Sequence, residues 1–250
     1  MKKTIYCCIV VALFLATVLT SCKTDEKEEE EKFKPSITIS TATTGMVTLK
    51  LAGEGNVLID WGQGEKIVEM TLSEYNDDDW VNSHIKFTRS NFITSSSTIT
   101  ISHAKLSHFE CGSGTVNCIS NLTVENDWLQ TLFCYGNALT YLDLRSAPNL
   151  MVLHCFSNRL TSLDLSRNSK LFWVNCYRNQ LTSLILGSHP QLWTLICTTN
   201  NLNKEALNNI FGTLNNSLLH VKNLYISGNP GSAECDRSIA EEKGWKFIDN

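Results

Sequence analysis

From Leu129 onward, apolar residues return in one order, L-x-x-L-x-C-x-x-N-x-L-x-x-L-x-L, with a period of about 21 residues. One copy carries Leu129, Leu132, Cys134, Asn137, Leu139, Leu142 and Leu144; the next carries Leu150, Leu153, Cys155, Asn158, Leu160, Leu163 and Leu165. A third carries Leu171, Val174, Cys176, Asn179, Leu181, Leu184 and Leu186, and a fourth begins with Leu192, Leu195, Cys197, Asn200 and Leu202. An imperfect, lengthened copy precedes them, with Leu106, Phe109, Cys111, Ile119, Leu122 and Val124, and with Gly114 at the asparagine position. First repeats are often irregular because they meet a cap. Beyond the fourth copy, Leu207, Ile210, Phe211 and Leu214 fall at helical spacing and predict a helical insert over Asn203 to Leu214. Val221, Leu224, Ile226 and Asn229 then restate the strand and its asparagine.

The pattern dictates a geometry. In L-x-x-L-x-C the last apolar residues alternate with others, so Leu132 and Cys134 face inward while Phe133 and Tyr135 face outward. The asparagine turns the chain, and its amide both donates and accepts, so stacked asparagines satisfy backbone groups inside the bend at about 1 kcal/mol net each. The second half of each unit, such as Leu160 to Leu165, returns along the convex side. Strands spaced at about 4.8 Å make five or six units a parallel sheet roughly 25 Å wide. Over residues 106–250, including Gly228-Asn229-Pro230-Gly231 and Cys235-Asp236, the repeats resemble bacterial internalin-like leucine-rich repeats. The likeness is to the variant with a shorter unit and a cysteine in the strand, and to leucine-rich lipoproteins of the Bacteroides type. That resemblance implies a leucine-rich-repeat solenoid with a parallel sheet on its concave side, a mostly irregular convex side and adhesion-like roles.

Residues 36–105 change character. Ile37-Thr38-Ile39, Met46 to Leu51, Asn56 to Trp61, Lys66 to Leu72, Ser83 to Thr88 and Thr98 to Ile101 largely alternate apolar and polar residues between glycine or polar breaks. They predict the short strands of a small β-sandwich that caps the first coil. Val57-Leu58-Ile59-Asp60-Trp61-Gly62-Gln63-Gly64 is similar to the strand and turn of immunoglobulin-like domains of the polycystic-kidney-disease type, with Gln63 where an aspartate is usual. Trp61 reads as core.

The chain opens with Lys2 and Lys3, a largely apolar run from Ile5 to Leu19, and Leu19-Thr20-Ser21-Cys22. Residues 1–21 read as a secretory signal, too short and too early for a stable span; an uncleaved membrane anchor is the competing reading. The ending resembles a lipobox, which implies cleavage before Cys22 and acylation there. Each buried methylene holds the membrane by roughly 0.8 kcal/mol. Residues 22–35, with Lys23 to Lys32 carrying no apolar side chain, form an acidic flexible tether. Such a stretch resembles the signal that exports lipoproteins to the outer face of the outer membrane; a spacer on a periplasm-facing lipoprotein is the alternative. The formal charge of -4 becomes -6 when Lys2 and Lys3 are removed, which argues against nucleic acid.

Ten cysteines in an exported chain suggest disulfides, but the spacing of these does not. Cys111, Cys134, Cys155, Cys176 and Cys197 form an inward ladder whose neighbours, a strand spacing apart, exceed the roughly 3.8 Å between Cβ atoms that a disulfide prefers. Free buried thiols are expected, with no metal and no cofactor; the state of Cys118 and Cys235 stays open. His84, His103, His108, His154, His189 and His220 show no metal-binding spacing, and no H-E-x-x-H or G-x-S-x-G is present, so catalysis is not expected. Asp77-Asp78-Asp79 has the composition of a calcium loop or of a solvated turn.

The strand register also names a surface. Outward residues are His108 and Glu110; Thr131, Phe133 and Tyr135; Val152, His154 and Phe156; Trp173, Asn175 and Tyr177; Thr194, Ile196 and Thr198; Asn223 and Tyr225. An open sheet has no packing reason to carry so many aromatics, and such patches mark interaction sites unless a neighbouring subunit or the amino-terminal domain covers them. Phe133, Tyr135, His154, Phe156, Trp173, Asn175, Tyr177, Ile196 and Tyr225 are therefore the expected partner contacts. A protein or peptide ligand is the first expectation for this surface lipoprotein, a glycan of a nutrient-uptake system the alternative, and an enzyme the least favoured.

Overall fold

A computed structural model describes residues 35–64, 67–72, 87–102, 105–112 and 118–249. Cys22, the expected tether as far as residue 34, Gly114 and Asp77-Asp78-Asp79 lie outside the described residues. Residues from Pro35 onward form one compact unit. No helix among the described residues is long and apolar enough to cross a membrane.

The amino-terminal part contains strands β1 (Pro35–Thr41), β2 (Gly45–Asp60), β3 (Val68–Leu72), β4 (Phe87–Ile93), β5 (Thr98–Ser102), β6 (Lys105–Glu110) and β7 (Ile119–Val124). Met46 to Leu51 and Asn56 to Trp61 read as two strands in the sequence, yet β2 runs through both. Its first half pairs with β4 and β6, its second with β3 and β5. The apparent break, Gly53-Glu54-Gly55, is a bend: Gly53 and Gly55 take φ of 151° and 90°. A Cβ on Gly53 would lie 2.2 Å from the Lys105 carbonyl oxygen, so only glycine allows this close approach. One strand thereby belongs to two sheet portions.

Each portion continues into the repeats. On one side β6 pairs in parallel with β8 (Thr131–Phe133), and β9 (Val152–His154), β11 (Trp173–Asn175), β13 (Thr194–Ile196), β14 (Lys222–Tyr225) and β15 (Trp245–Phe247) follow in order. On the other, β7 pairs antiparallel with β1 and bridges through Thr123 to Asp143. The convex side is more regular than its sequence suggests, because β10 (Ser162–Asp164) and β12 (Ser183–Ile185) pair in parallel. Both follow an exposed-buried-exposed alternation one repeat apart. The result is a leucine-rich parallel β-solenoid.

A single apolar core runs from Ile37 to Trp245. Leu132, Leu153, Leu195 and the ladder cysteines from Cys134 to Cys197 are fully buried. The asparagines close one corner. Asn179 Nδ2 donates to the Cys155 and Cys176 carbonyls at 3.0 and 3.1 Å, and its Oδ1 accepts from Leu160 N at 3.0 Å. Asn158, Asn200 and Asn229 repeat this bridging between turns, and Asn137 donates to Cys111 and Cys134. The residue before each asparagine is left-handed: Gly136 and Gly228 at the ends, Ser157, Arg178 and Thr199 between them, with φ of 52–55° for those three.

After the fourth copy, helix α1 (Lys204–Thr213) is capped by Asn203, whose side chain accepts from Ala206 N at 2.8 Å. It buries Leu207, Ile210 and Phe211 against the core. The short helix α2 (Ser238–Glu241) precedes β15.

Candidate functional site

Parallel pairing converts the repeat into columns across the concave face. One column reads Thr131, Val152, Trp173, Thr194 and Asn223; the next reads Phe133, His154, Asn175, Ile196 and Tyr225. Tyr135, Phe156 and Tyr177 follow the strands. Leu132, Leu153, Val174 and Leu195, between the columns, are fully buried. Tyr177 is 37 % exposed, and the other eight expected contact residues are half-buried.

A strand spacing of about 4.8 Å matches the spacing at which rings stack. Phe133 and His154 stack at 4.4 Å between centroids and 10° between planes, Tyr135 and Phe156 at 4.6 Å and 2°. His154 meets Trp173 at 6.1 Å, and Trp173 meets Trp193 edge-on at 5.3 Å. Each such pair contributes about 0.5–1.5 kcal/mol beyond the area it buries, so the rings hold one another in place before any partner arrives. Burial lowers His154 to about 4, although the Glu110 carboxylate pulls the other way. The imidazole is thus neutral at physiological pH. Neither His154 Nε2 nor Trp173 Nε1 finds a hydrogen-bond partner among the described residues.

Three residues expected on this face are not available to a partner. His108, Glu110 and Thr194 are only 3 %, 4 % and 4 % exposed. Glu110 is covered because Lys50, delivered by β2, reaches its carboxylate at 2.8 Å and the Tyr135 hydroxyl donates to the same oxygen at 2.8 Å. Burial, then that hydrogen bond to Glu110, pushes the Tyr135 hydroxyl up to about 12. The Phe133 ring packs edge-on over His108 at 5.2 Å. Thr194 lies beside Trp173 in register and Trp193 in sequence. Tyr135 is seated over Gly112, where a Cβ would come within 2.7 Å of its ring.

The ladder cysteines are free and buried, and burial pushes their thiols well up. A thiol held protonated in an apolar core is neither nucleophile nor ligand. Cys118 is also free and buried; Cys235, free and half-buried, donates weakly to the Ser232 carbonyl. Among the described residues no three His, Cys, Asp or Glu side chains come together as a metal site.

Sequence reasoning missed two features. Asn126, Ala147, Asn168 and His189 form a second corner, where Asn168 Nδ2 donates to the Leu144 and Ala147 carbonyls at 2.9 and 2.8 Å. Met151, Phe172 and Trp193 form a further outward row, one residue before β9, β11 and β13. The recurrence of both columns at the repeat period was the signal available for finding them.

No protein-family model matches the chain, and no curated protein is similar to it. Among solved structures, the functional domain of InlJ from Listeria monocytogenes, described as including a cysteine ladder, is 26 % identical with a TM-score of 0.45. The similarity covers 57 % of this chain and 29 % of that one, so the chain spans less than a third of that neighbour's length.

Proposed function

We propose that the chain is a protein- or peptide-binding module whose aromatic concave face grips its partner, displayed on a bacterial outer membrane by a lipid anchor at Cys22. The observation that carries the reading is the set of self-supported rings on the open side of the sheet. Preformed rings lose little side-chain freedom on binding, and tyrosine and tryptophan are frequent interface anchors. The lipobox-like Leu19-Thr20-Ser21-Cys22 and the acidic stretch behind it support the anchoring and the surface location. The amino-terminal strands serve as cap and spacer. Binding without catalysis is the reading for the whole chain.

The test is to probe arrayed proteins and glycans with the full chain and with a Trp173→Ala/Tyr177→Ala variant. Capture of a protein by the native chain, weakened at least about tenfold in the variant, supports the proposal. Equal binding by the two rejects the concave face, and capture of glycans alone replaces the protein partner by a sugar.

A further inference from the structure

Beside the concave face, the row Met151, Phe172 and Trp193 meets the loop that follows α1. Phe172 and Trp193 stack at 5.9 Å and 7°, and His220 lies across Trp193 at 6.0 Å and 38°. With Leu219, Gln191 and Lys222 they line a cavity of about 450 Å³ that opens to the surface. The row is continuous with the concave columns through the edge-on contact of Trp193 and Trp173.

Two properties define what fits. First, Lys222 keeps its charge, but its hydrogen bonds are already given away: its Nζ donates to the Asn215 carbonyl at 3.3 Å and to the Lys243 carbonyl, and lies over the Trp245 ring at 5.8 Å. A cationic group entering the cavity would meet a like charge, and an anionic one would give up water for an ammonium whose hydrogen bonds are already engaged. Second, the outer lip is aliphatic and bare. Leu218 is 93 % exposed, Leu219 82 % and Val221 62 %. Isolated exposed apolar residues are ordinary, but three within four positions beside an aromatic row form a patch that rewards an apolar cover.

We propose that this cavity is an anchoring pocket for one uncharged aromatic or large aliphatic side chain of a protein partner, with Leu218 and Val221 packing on the apolar surface around it. The inference rests on the protein-binding reading and adds a site to it. A sugar is disfavoured on the same observations. Laid against Leu218, Leu219 and Val221, a sugar's hydroxyls would give up water with no hydrogen-bond partner in return.

The test is to titrate the full chain with N-acetylphenylalaninamide while following the Trp193 indole N–H signal by NMR, the signal being assigned with Trp193→Phe. A saturable shift is expected, weakened at least about tenfold by Leu219→Asp or Phe172→Ala and unchanged by Tyr177→Ala. Leu219→Asp alters an exposed position, so the loss is read in a folded protein. Absence of a saturable shift overturns the proposal, as does saturation by methyl glucoside in place of the amide. Leucine-dependent binding to phosphatidylglycerol vesicles with no response to the amide overturns it in favour of a membrane contact. A normal amide titration beside array binding that ignores Trp173→Ala/Tyr177→Ala keeps the pocket and removes the concave face; the reverse pair of results does the opposite.

Discussion

The two sides of each concave strand obey different rules. Inward, the residues barely change from turn to turn: Leu132, Leu153, Val174, Leu195, then Cys134, Cys155, Cys176, Cys197, then Asn137, Asn158, Asn179, Asn200 at the bend that follows. Outward, Thr131, Val152, Trp173, Thr194 and Asn223 share a column and almost no chemistry. The inner columns are what stacking requires, because each turn must present the next with the same apolar surface and the same backbone acceptors. Nothing in the stacking requires the outer columns to be aromatic, so their chemistry is free to serve recognition.

That contrast is broken hardest from inside. Asn179→Ala takes the buried Leu160 N–H's acceptor and one of the two asparagine donors from each of the Cys155 and Cys176 carbonyls, which keep Asn158 and Asn200. Urea unfolding should show a loss of about 3 kcal/mol; a loss below about 1 kcal/mol would mean that water replaces the side chain. A smaller effect comes from His154, whose folded-state pKa of about 4 lies below its ordinary 6.5. Because the unfolded chain takes the proton first, stability is complete above pH 6.5 and declines as the pH falls toward 4. Partial exposure limits the decline to about 2 kcal/mol. His154→Phe should flatten that part of the pH profile, and an unchanged profile would assign the dependence to other groups.

At the corner itself the effect reverses sign. Thr199 is β-branched, exposed and left-handed at φ 52°, where Gly136 and Gly228 occupy the equivalent positions of other turns. Thr199→Gly should therefore stabilise by about 1 kcal/mol in thermal unfolding. The smallest effect is expected on the outer side. Tyr177→Ala should change stability by under about 0.5 kcal/mol while contributing to the loss of partner binding, and a large destabilisation would make Tyr177 a packing residue after all.

The repeats were legible because their constraint is local and recurs: Leu, Cys and Asn return in the same order, and strand alternation then decides which side chains face in or out. The amino-terminal strands were less legible. Gly53-Glu54-Gly55 reads as a break, and only the approach of Lys105 across the sheet shows it to be a bend within β2. The burial of Glu110 was invisible for a related reason, since its partner Lys50 lies 60 residues earlier. Trp193 and Phe172 escaped because the gap in L-x-x-L holds two residues, and simple alternation does not decide which of them turns outward. The cavity beside them needs the loop after α1, whose course no repeat dictates.

The position of β1 has a mechanical consequence. It is the first described strand, and it lies between β5 and β7, antiparallel to both. A pull on the chain ahead of Pro35 runs along this strand, so the hydrogen bonds on its two edges are loaded together in shear instead of being peeled one at a time. If the lipid holds the membrane while the concave face holds its partner, traction between them enters the sheet through a strand that is hydrogen-bonded on both edges.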